Sequence, residues 1–268
     1  MIKVDGVHFS YGKQEILKGV SFDMEKDEFM CILGANGCGK TTLLKTMLGF
    51  LTPQEGSVSL YGQDVHKMDE KELAKKVAYI PQTHNPPFPF TVKDVVLMGR
   101  TPHLSRACIP SPKDLDIAGE SMARLGIERY AEKRYTELSG GQRQMVIIAR
   151  ALTQQPDILI MDEPTASLDF GNQYVVLAQM LRLAKGGMSI LMVTHNPDHA
   201  LYCADRIMAM RGGRIVRLGE SRSVVNEPTM QSIYNMTIKV RDVTISPGCD
   251  STVCIPVPDL AESNVCNM

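Results

Sequence analysis

The stretch EFMCILGANGCGKTTLL, residues 28–44, decides how this chain folds. Its apolar start is typical of a strand that is buried on both faces of a parallel sheet. A glycine-rich loop follows and leads into a helix. The loop matches the pattern G-x-x-x-x-G-K-[ST], with Gly34, Gly39, Lys40 and Thr41 at the fixed positions. An ordinary glycine turn is the alternative, but the position between strand and helix favours a phosphate-binding loop.

This loop predicts the chemistry of a nucleotide site. Its glycines allow backbone N–H groups to surround phosphates, Lys40 meets the charge of the β- and γ-phosphates, and the Thr41 hydroxyl ligates Mg²⁺. The Cys38 thiol lies near the start of the helix, which predicts a lowered pKa and a loss of ATP binding on alkylation. The residues that we expect to contact the nucleotide here are Gly34, Ala35, Asn36, Gly37, Cys38, Gly39, Lys40, Thr41 and Thr42.

The stretch DILIMDEP, residues 157–164, supplies two carboxylates at the end of a second buried strand. Asp162 ends the strand, where a carboxylate can hold Mg²⁺. Glu163 follows directly, and we expect it to act as the general base on the attacking water. A solvent-facing acidic pair is the alternative, and the presence of the phosphate loop disfavours it.

Short apolar runs alternate with helical stretches, which predicts an α/β fold with a parallel core sheet. The expected core strands are 28–33, 77–80, 157–162, 189–194 and 206–210. The first 25 residues instead favour an antiparallel pair with a turn near Gly12-Lys13. From about residue 83 to residue 155 the pattern is helical only, so we expect an inserted helical subdomain. Residues 237–268 hold weak β-like pieces, which indicate a peripheral strand or a tail.

The stretch ELSGGQRQMVIIARAL, residues 137–152, places a Ser-Gly-Gly turn at the head of an apolar helix. Free backbone N–H groups at a helix N-terminus favour anions, so this turn predicts a second anion-binding site. One nucleotide does not need two such sites far apart in one chain. The second site therefore needs its own explanation.

Charge and hydropathy argue against two classes of function. The formal net charge is −1, which gives no broad positive field for a phosphate backbone, and we expect no nucleic-acid partner. The longest apolar runs fall far short of the about 20 residues that a membrane span needs. The first residues lack the apolar core of a signal peptide, so we expect a cytoplasmic location.

Together these motifs resemble the ATP-binding subunit of ABC-type transporters, over about residues 1–236. LSGGQ at 138–142 matches the signature sequence of that family. The resemblance implies a P-loop NTPase core that hydrolyses ATP. It also implies that Tyr11 stacks on adenine and that Gln82 belongs to the metal ligands and the catalytic set. Asp169, in the loop ASLD, would face the nucleotide, and His195 would contact the γ-phosphate.

In this family two subunits face each other head to tail across a twofold axis, which accounts for the second anion site. The resemblance implies that Ser139, Gly140, Gly141 and Gln142 of one copy cover the nucleotide that the other copy binds. A helix N-terminus and glycine amides complement γ-phosphate charge where water is excluded. ATP would then hold the two copies together, and hydrolysis would release them.

Two shorter stretches indicate a subgroup. TVKDVVLMGRTPHL (91–104) and SLDFGNQ (167–173) resemble the ATPases of importers for iron–siderophore complexes, haem and cobalamin. The resemblance implies integral membrane permease partners, an extracytoplasmic substrate-binding protein that acts through them, and a place on the cytoplasmic face of the membrane. Importers of molybdate or tungstate use a similar ATPase. A soluble ATPase of iron–sulfur cluster assembly stays open, whereas a P-loop kinase would have no use for LSGGQ.

Overall fold

The fold is described from a computed structural model, which covers residues 1–82, 90–105, 109–246 and 249–257. The strands there are β1 (Ile2–Tyr11), β2 (Gln14–Met24), β3 (Phe29–Leu33), β4 (Glu55–Leu60), β5 (Gln63–Asp64), β6 (Val77–Ile80), β7 (Ile158–Asp162), β8 (Ser189–Thr194), β9 (Arg206–Arg211), β10 (Arg214–Glu220), β11 (Thr237–Ser246) and β12 (Cys249–Val257). The helices there are α1 (Lys40–Met47), α2 (Glu70–Lys76), α3 (Val92–Leu97), α4 (Pro112–Arg124), α5 (Gly140–Thr153), α6 (Phe170–Lys185), α7 (Pro197–Cys203), α8 (Ser221–Val224) and α9 (Glu227–Tyr234).

A six-stranded sheet forms the centre of the molecule, in the order β10-β9-β3-β8-β7-β6. Every neighbouring pair from β9 to β6 is parallel, and β10 pairs antiparallel with β9 at one edge. The strands β3, β7 and β8 are buried along their whole length. The five core strands expected from the apolar runs are confirmed to within one residue at each end.

The central sheet separates two apolar cores. Phe29 and Cys31 point into one core, which contains the buried faces of α3, α4, α5 and α6. Met30 and Ile32 point into the other core, with α1 and the N-terminal strands. Because side chains alternate across a strand, β3 serves both cores, and its continuous apolar sequence follows from this position.

The N-terminal residues form the expected antiparallel pair. The register of β1 and β2 runs from Ile2 opposite Met24 to Tyr11 opposite Gln14. Gly12 occupies the turn with a φ of 58°, a left-handed conformation that glycine adopts without strain. The pair belongs to a four-stranded sheet in the order β2-β1-β4-β5.

Between β6 and β7, the described residues form helices and the turns that connect them. Residues 90–105 and 109–155 contain α3, α4 and α5 and no strand, with one isolated bridge between Thr91 and Arg134. The proline-rich connector at 83–89 lies outside the described residues, so the start of a helical subdomain at 83 stays a prediction. Nowhere in the described part of the chain does a helix combine the length and the hydropathy that crossing a bilayer would require.

A buried ion pair holds this helical segment together. Arg100 donates from Nε to Asp114 at 2.8 Å and from Nη1 to the Thr153 carbonyl at 3.0 Å. Hydrogen bonds from Ser111 and then from Arg100 lower the pKa of Asp114 to about 2. The start of α4 and the end of α5 are therefore joined through one guanidinium.

The strands β11 and β12, residues 237–246 and 249–257, pair antiparallel as a hairpin and form a sheet of their own. β11 packs on α9, and β12 packs on α7. The expectation here is only a peripheral strand or a tail. Residues 241–246 are exposed throughout, so the alternation of Val243 and Ile245 with polar residues marks no buried face in this half of the strand.

Candidate active site

The phosphate loop joins β3 to α1 through backbone conformations that glycine provides. Gly37 has a φ of 78° and Gly39 a φ of 108°, values that a residue with a side chain adopts only with strain. At Gly34 a Cβ atom would lie 2.6 Å from the Met210 carbonyl oxygen. The glycines of the motif are thus required by the backbone itself as well as by a ligand.

The N-terminus of α1 is open to an anion. Gly39 precedes the helix and provides no side-chain cap, so the first N–H groups have no partner within the helix. Lys40 Nζ donates to the carbonyls of Gly34 at 2.7 Å and Ala35 at 3.1 Å. A phosphate oxygen can replace either carbonyl as the acceptor for this buried ammonium group.

Three side chains from distant parts of the sequence meet at the Glu163 carboxylate. Gln82 Nε2 donates to Oε2 at 3.2 Å, and His195 Nδ1 lies 3.1 Å from Oε1. Lys40 Nζ lies 3.8 Å from the same Oε1. Glu163 has a φ of 48°, a left-handed conformation that costs a residue of this type about 1–3 kcal/mol. The structure thus brings together the four residues predicted as catalytic, and their roles stay predictions.

The sheet order explains this convergence. The phosphate loop follows β3, Gln82 follows β6, Glu163 follows β7 and His195 follows β8. These four strands are parallel neighbours, so their carboxyl ends lie on one edge of the sheet. In open α/β sheets this edge is where ligands bind.

Asp162 and Thr41, two of the three predicted Mg²⁺ ligands, are in direct contact. Thr41 Oγ1 donates to Asp162 Oδ2 at 3.0 Å. Burial raises the pKa of Asp162, although the hydrogen bond from Thr41 opposes this rise. A buried carboxylate beside a hydroxyl and close to a phosphate loop is the oxygen donor set that suits Mg²⁺. The residues present therefore fit this ion.

These groups border a cavity of about 500 Å³, a volume typical of small-molecule sites. Its lining residues are Gln14, Ile16, Asn36, Gly37, Gly39, Lys40, Thr41, Thr42, Gln82 and Glu163. Gln14 and Ile16 are not among the residues predicted from the sequence. Gln14 pairs with Tyr11 across the β1–β2 turn, so the predicted adenine contact of Tyr11 could have pointed to Gln14 as well. Tyr11 itself is half exposed, packs edge-on against Phe9 and does not line the cavity.

The signature stretch lies away from this cavity and begins α5. Ser139 Oγ accepts from the Gln142 backbone N–H at 3.4 Å, and Gln142 Oε1 accepts from the Ser139 N–H at 3.0 Å. This capping box satisfies two backbone donors within one chain. It involves neither the Gly140 amide nor the Gly141 amide. Among the described residues, none of these four lines the cavity of its own chain.

Two details differ from expectation. The Cys38 thiol is buried, and burial raises its pKa although the nearby Lys40 opposes the rise, so the expected lowering is wrong. The helix start is too weak to outweigh the loss of water around the thiolate. Asp169 is the N-cap of α6, where its carboxylate accepts from the Asn172 N–H at 2.9 Å. Its predicted nucleotide contact is not tested by this arrangement.

Comparisons with known proteins agree with this geometry. Residues 17–166 match the family model described as ABC transporter. The iron(3+)-hydroxamate import ATP-binding protein of Bacillus subtilis is 33% identical over 255 residues, which cover 95% of this chain and 94% of that relative. The hemin import ATP-binding protein of Gloeobacter violaceus is 38% identical over 226 residues, which cover 82% of each chain.

A solved structure extends the similarity to the whole fold. It is an ABC transporter assigned to the metal-chelate type, in an inward-facing conformation. The similarity has a TM-score of 0.87 at 27% identity and covers 97% of this chain and 99% of the other. The family match, the relatives and the shared fold show that this chain belongs to the ABC transporter family and is an ATP-binding subunit that hydrolyses ATP.

Proposed function

We propose that this chain powers the import of an iron complex (a siderophore or haem), of cobalamin, or of a related metal-containing substrate. The observation that carries the proposal for the active site is the convergence of Lys40, Gln82 and His195 on Glu163. The importer role is supported by relatives whose names specify iron(3+)-hydroxamate and hemin import. The stretches 91–104 and 167–173 support the same subgroup.

In this proposal the phosphates of ATP lie over the loop 34–42, where the uncapped start of α1 and Lys40 provide the donors. Tyr11, at the rim beside Gln14, stacks on the adenine. Thr41, Gln82 and Asp162 hold Mg²⁺. Bound there, the ion supplies positive charge that neutralises the phosphates.

Glu163 acts as the general base. Its side chain is largely buried and is held on both oxygens by neighbouring groups, so its direction is set before substrate arrives. Gln82 orients one oxygen of the Glu163 carboxylate, and His195 contacts the other oxygen. When a phosphate binds the ammonium group of Lys40, that group no longer neutralises Glu163. Glu163 Oε1 keeps its contact with His195 and can accept a proton from water.

A second copy of the chain completes the site. The residues 139–142 do not line the cavity of their own chain, so we propose a head-to-tail pair in which α5 of one copy meets the nucleotide of the other. Ser139, Gly140, Gly141 and Gln142 then act on the γ-phosphate, with the two glycine amides as donors outside the capping box. Asp169 contributes from the same face. Twofold symmetry gives two such sites in each pair.

The remaining partners follow from the importer role. We assign residues 1–236 to the ATP-binding domain and 237–268 to a peripheral C-terminal element. The helical subdomain at about 83–155 contacts integral membrane permease subunits, which places the chain on the cytoplasmic face of the membrane. An extracytoplasmic substrate-binding protein acts on it only through those permeases. No nucleic acid is expected to bind.

The variant Glu163→Gln tests the active site. Glutamine keeps the shape of the side chain and loses the base, so turnover should fall by about 10²–10⁴-fold while ATP binding persists. With Mg²⁺ and ATP the variant should accumulate as a dimer, which light scattering detects. The exposed Glu128→Gln, in the helical segment, is the matched control and should turn over like the wild type. Turnover near wild type in Glu163→Gln would refute the base assignment.

Purification of the tagged chain from detergent-solubilised host membranes tests the importer role. A co-purified protein with many apolar spans is expected, and mass spectrometry identifies it. Iron complexes, cobalamin and oxyanions are then compared for stimulation of the ATPase. Recovery of a soluble partner alone would favour the cluster-assembly alternative.

A further inference from the structure

The C-terminal region contacts the loop that carries His195. This loop, residues 194–197, joins β8 to α7. Tyr234, the last residue of α9, donates its hydroxyl hydrogen to the His195 carbonyl at 2.6 Å. Asn235 follows with a φ of 54° and turns the chain into β11. The backbone of His195 is thus bonded to the element from which the hairpin starts.

A second bond connects the hairpin to the same part of the chain. The Cys254 backbone N–H, in β12, donates to Asp198 Oδ1 at 2.9 Å. Asp198 is the second residue of α7, three positions after His195. This bond joins the backbone of β12 to a side chain at the start of α7.

The two bonds lie beside a surface groove of about 290 Å³, with His195, Asp198, Tyr234 and Cys254 among its lining residues. Because a groove is open to solvent, close packing does not fix the loop on this side. The two hydrogen bonds therefore contribute to the position of the loop.

The hairpin is itself fixed to α9. Glu227, at the start of α9, accepts from Lys239 Nζ at 3.1 Å and from Arg241 Nη1 at 2.6 Å. Ile233 and Ile238 are buried in the central core on the two sides of the turn. The helix α9 and the strand β11 therefore form one packed unit that can hold a loop in place.

The other side of the His195 loop contacts the Glu163 segment. His195 Nδ1 lies 3.1 Å from Glu163 Oε1. One turn further along, His199 Nδ1 lies 3.2 Å from the hydroxyl of Thr165, two residues after Glu163. The loop is thus placed between the hairpin and the segment that carries the general base.

We propose that Tyr234 is a positioning residue for His195, and that α9 and β12 affect the rate of ATP hydrolysis specifically through the bonds of Tyr234 and Cys254 that hold the His195 loop. The inference rests on the proposed role of His195 at the nucleotide. By fixing the His195 carbonyl, the phenol fixes the direction in which the imidazole leaves the backbone. Burial raises the pKa of Tyr234 well above its ordinary value, so the hydroxyl stays protonated and remains a donor.

The variant Tyr234→Phe, made in the full chain, tests this. It keeps the ring and removes only the donor, and the loss of one neutral hydrogen bond corresponds to roughly two- to tenfold in a rate. We expect kcat for ATP hydrolysis to fall by this factor, while KM for Mg-ATP changes by less than about twofold. The ring signals of His195 in the NMR spectrum should shift in parallel.

A matched control separates positioning from general stability. Thr252→Val removes one hydroxyl hydrogen bond, to Asp242 at 2.6 Å, which joins β12 to β11 and does not involve the His195 loop. It should keep the wild-type kcat and the wild-type His195 signals.

A second pair of variants probes the Cys254 bond, because Asp198→Asn keeps an acceptor oxygen and Asp198→Ala removes it. Only the alanine variant should lower kcat.

Wild-type kcat and unchanged His195 signals in Tyr234→Phe would overturn the inference. An equal loss of kcat in Thr252→Val would also overturn it, because the effect would then follow from lost stability. Failure of the proposed function looks different. Wild-type turnover in His195→Ala would refute the role of His195 itself, and this inference with it.

Discussion

The helices α1 and α5 both begin at glycine-containing turns, but their N-termini are built in opposite ways. α1 follows Gly39, which has no side chain to cap the helix, and Lys40 lies over the open end. α5 follows Ser139, whose capping box with Gln142 satisfies two backbone donors. The start of α1 has no side-chain cap, whereas the start of α5 has a cap that leaves the amides of Gly140 and Gly141 outside it.

This difference suits two different tasks. A site that must take a multiply charged anion from solution gains from unmet N–H groups and a fixed cation. A surface that acts only when another molecule approaches gains from a cap that fixes its backbone while the Gly140 and Gly141 amides stay outside the cap. The open start of α1 thus fits the primary nucleotide site, and the capped start of α5 fits a surface that is used after assembly.

The cap alone does not mark an anion site. α3 and α4 begin with the same capping box, built on Thr91 and Ser111. What distinguishes α5 is the pair of glycines that follows. Gly141 also has a packing role, since a Cβ atom there would lie 2.5 Å from Asn172 Oδ1. Sequence patterns that look functional can therefore have a structural reason as well.

Removal of the Lys40 ammonium group at the uncapped start of α1 should have the largest effect, and this effect is on ATP affinity. Lys40→Met deletes a buried charge beside the phosphates, which should weaken ATP binding by about 10²–10³-fold. Equilibrium dialysis with Mg-ATP measures this. Lys45→Met, on the exposed side of the same helix, is the control and should bind normally. Normal binding by Lys40→Met would mean that the helix N-terminus suffices without the lysine.

A substitution at the capped start of α5 should lower hydrolysis and leave ATP binding intact, whereas Lys40→Met lowers binding. Ser139→Arg blocks the approach of a second copy, so hydrolysis should fall by about 10²-fold or more while ATP binding by the single chain persists. Phosphate release and equilibrium dialysis separate the two effects. Activity that survives in a homogeneous Ser139→Arg sample would contradict a role for α5 across a dimer.

A matched pair of alanine variants controls for the cap itself. Ser139→Ala and Ser111→Ala each remove one capping hydroxyl, worth about 1 kcal/mol of stability. Both should lower the thermal midpoint, but only Ser139→Ala should lower turnover. Equal turnover in the two variants would reduce Ser139 to an ordinary cap.

Loss of the Arg100 side chain, which bonds the end of α5, should have a smaller effect that is confined to thermal stability. Arg100→Met leaves the Asp114 carboxylate buried without its cation and removes the bond to the Thr153 carbonyl at the end of α5. The thermal midpoint should fall by roughly 5–10 °C, with ATP affinity unchanged. Arg124→Met, exposed at the end of α4, is the control. A weaker ATP affinity in Arg100→Met would show that the two helix starts are coupled.

The same pair predicts a pH dependence. The pKa of Asp114 is lowered to about 2 in the folded chain, from about 3.9 in an unfolded one. Its contribution to stability is therefore complete above about pH 4 and is lost as the pH falls through about 2. The difference in stability between wild type and Arg100→Met should shrink over this range. Urea unfolding at several pH values measures it, and a constant difference would contradict the assigned pair.

The smallest effect concerns the thiol beside the open site. Because burial raises the pKa of Cys38, iodoacetamide at neutral pH should label it at least about tenfold more slowly in the folded chain than in urea. Peptide mass spectrometry follows this cysteine alone. Fast labelling of the folded chain would mean that the start of α1 activates the thiol despite its burial.

Most of the fold could be predicted because its causes are local. The core strands are continuous apolar runs, and the caps at Thr91 and Ser111 depend on residues three positions apart. The pairing of β11 with β12 could not be predicted, because the half of β11 at 241–246 is exposed and its alternating Val243 and Ile245 mark no buried face. The sequence allows the four residues of the Glu163 cluster to be named but not their contacts, since the cluster depends on the order of β3, β8, β7 and β6.

Local physical chemistry makes the phosphate loop, the signature turn, the core strands and the two carboxylates at the end of β7 predictable, because backbone conformation and hydrogen bonding act over a few residues. The folded chain was needed to find the raised pKa of Cys38, the Arg100–Asp114 pair and the bond from Tyr234 to His195. These depend on burial and on partners distant in the chain. No local pattern records which distant groups the folded sheet will bring into contact.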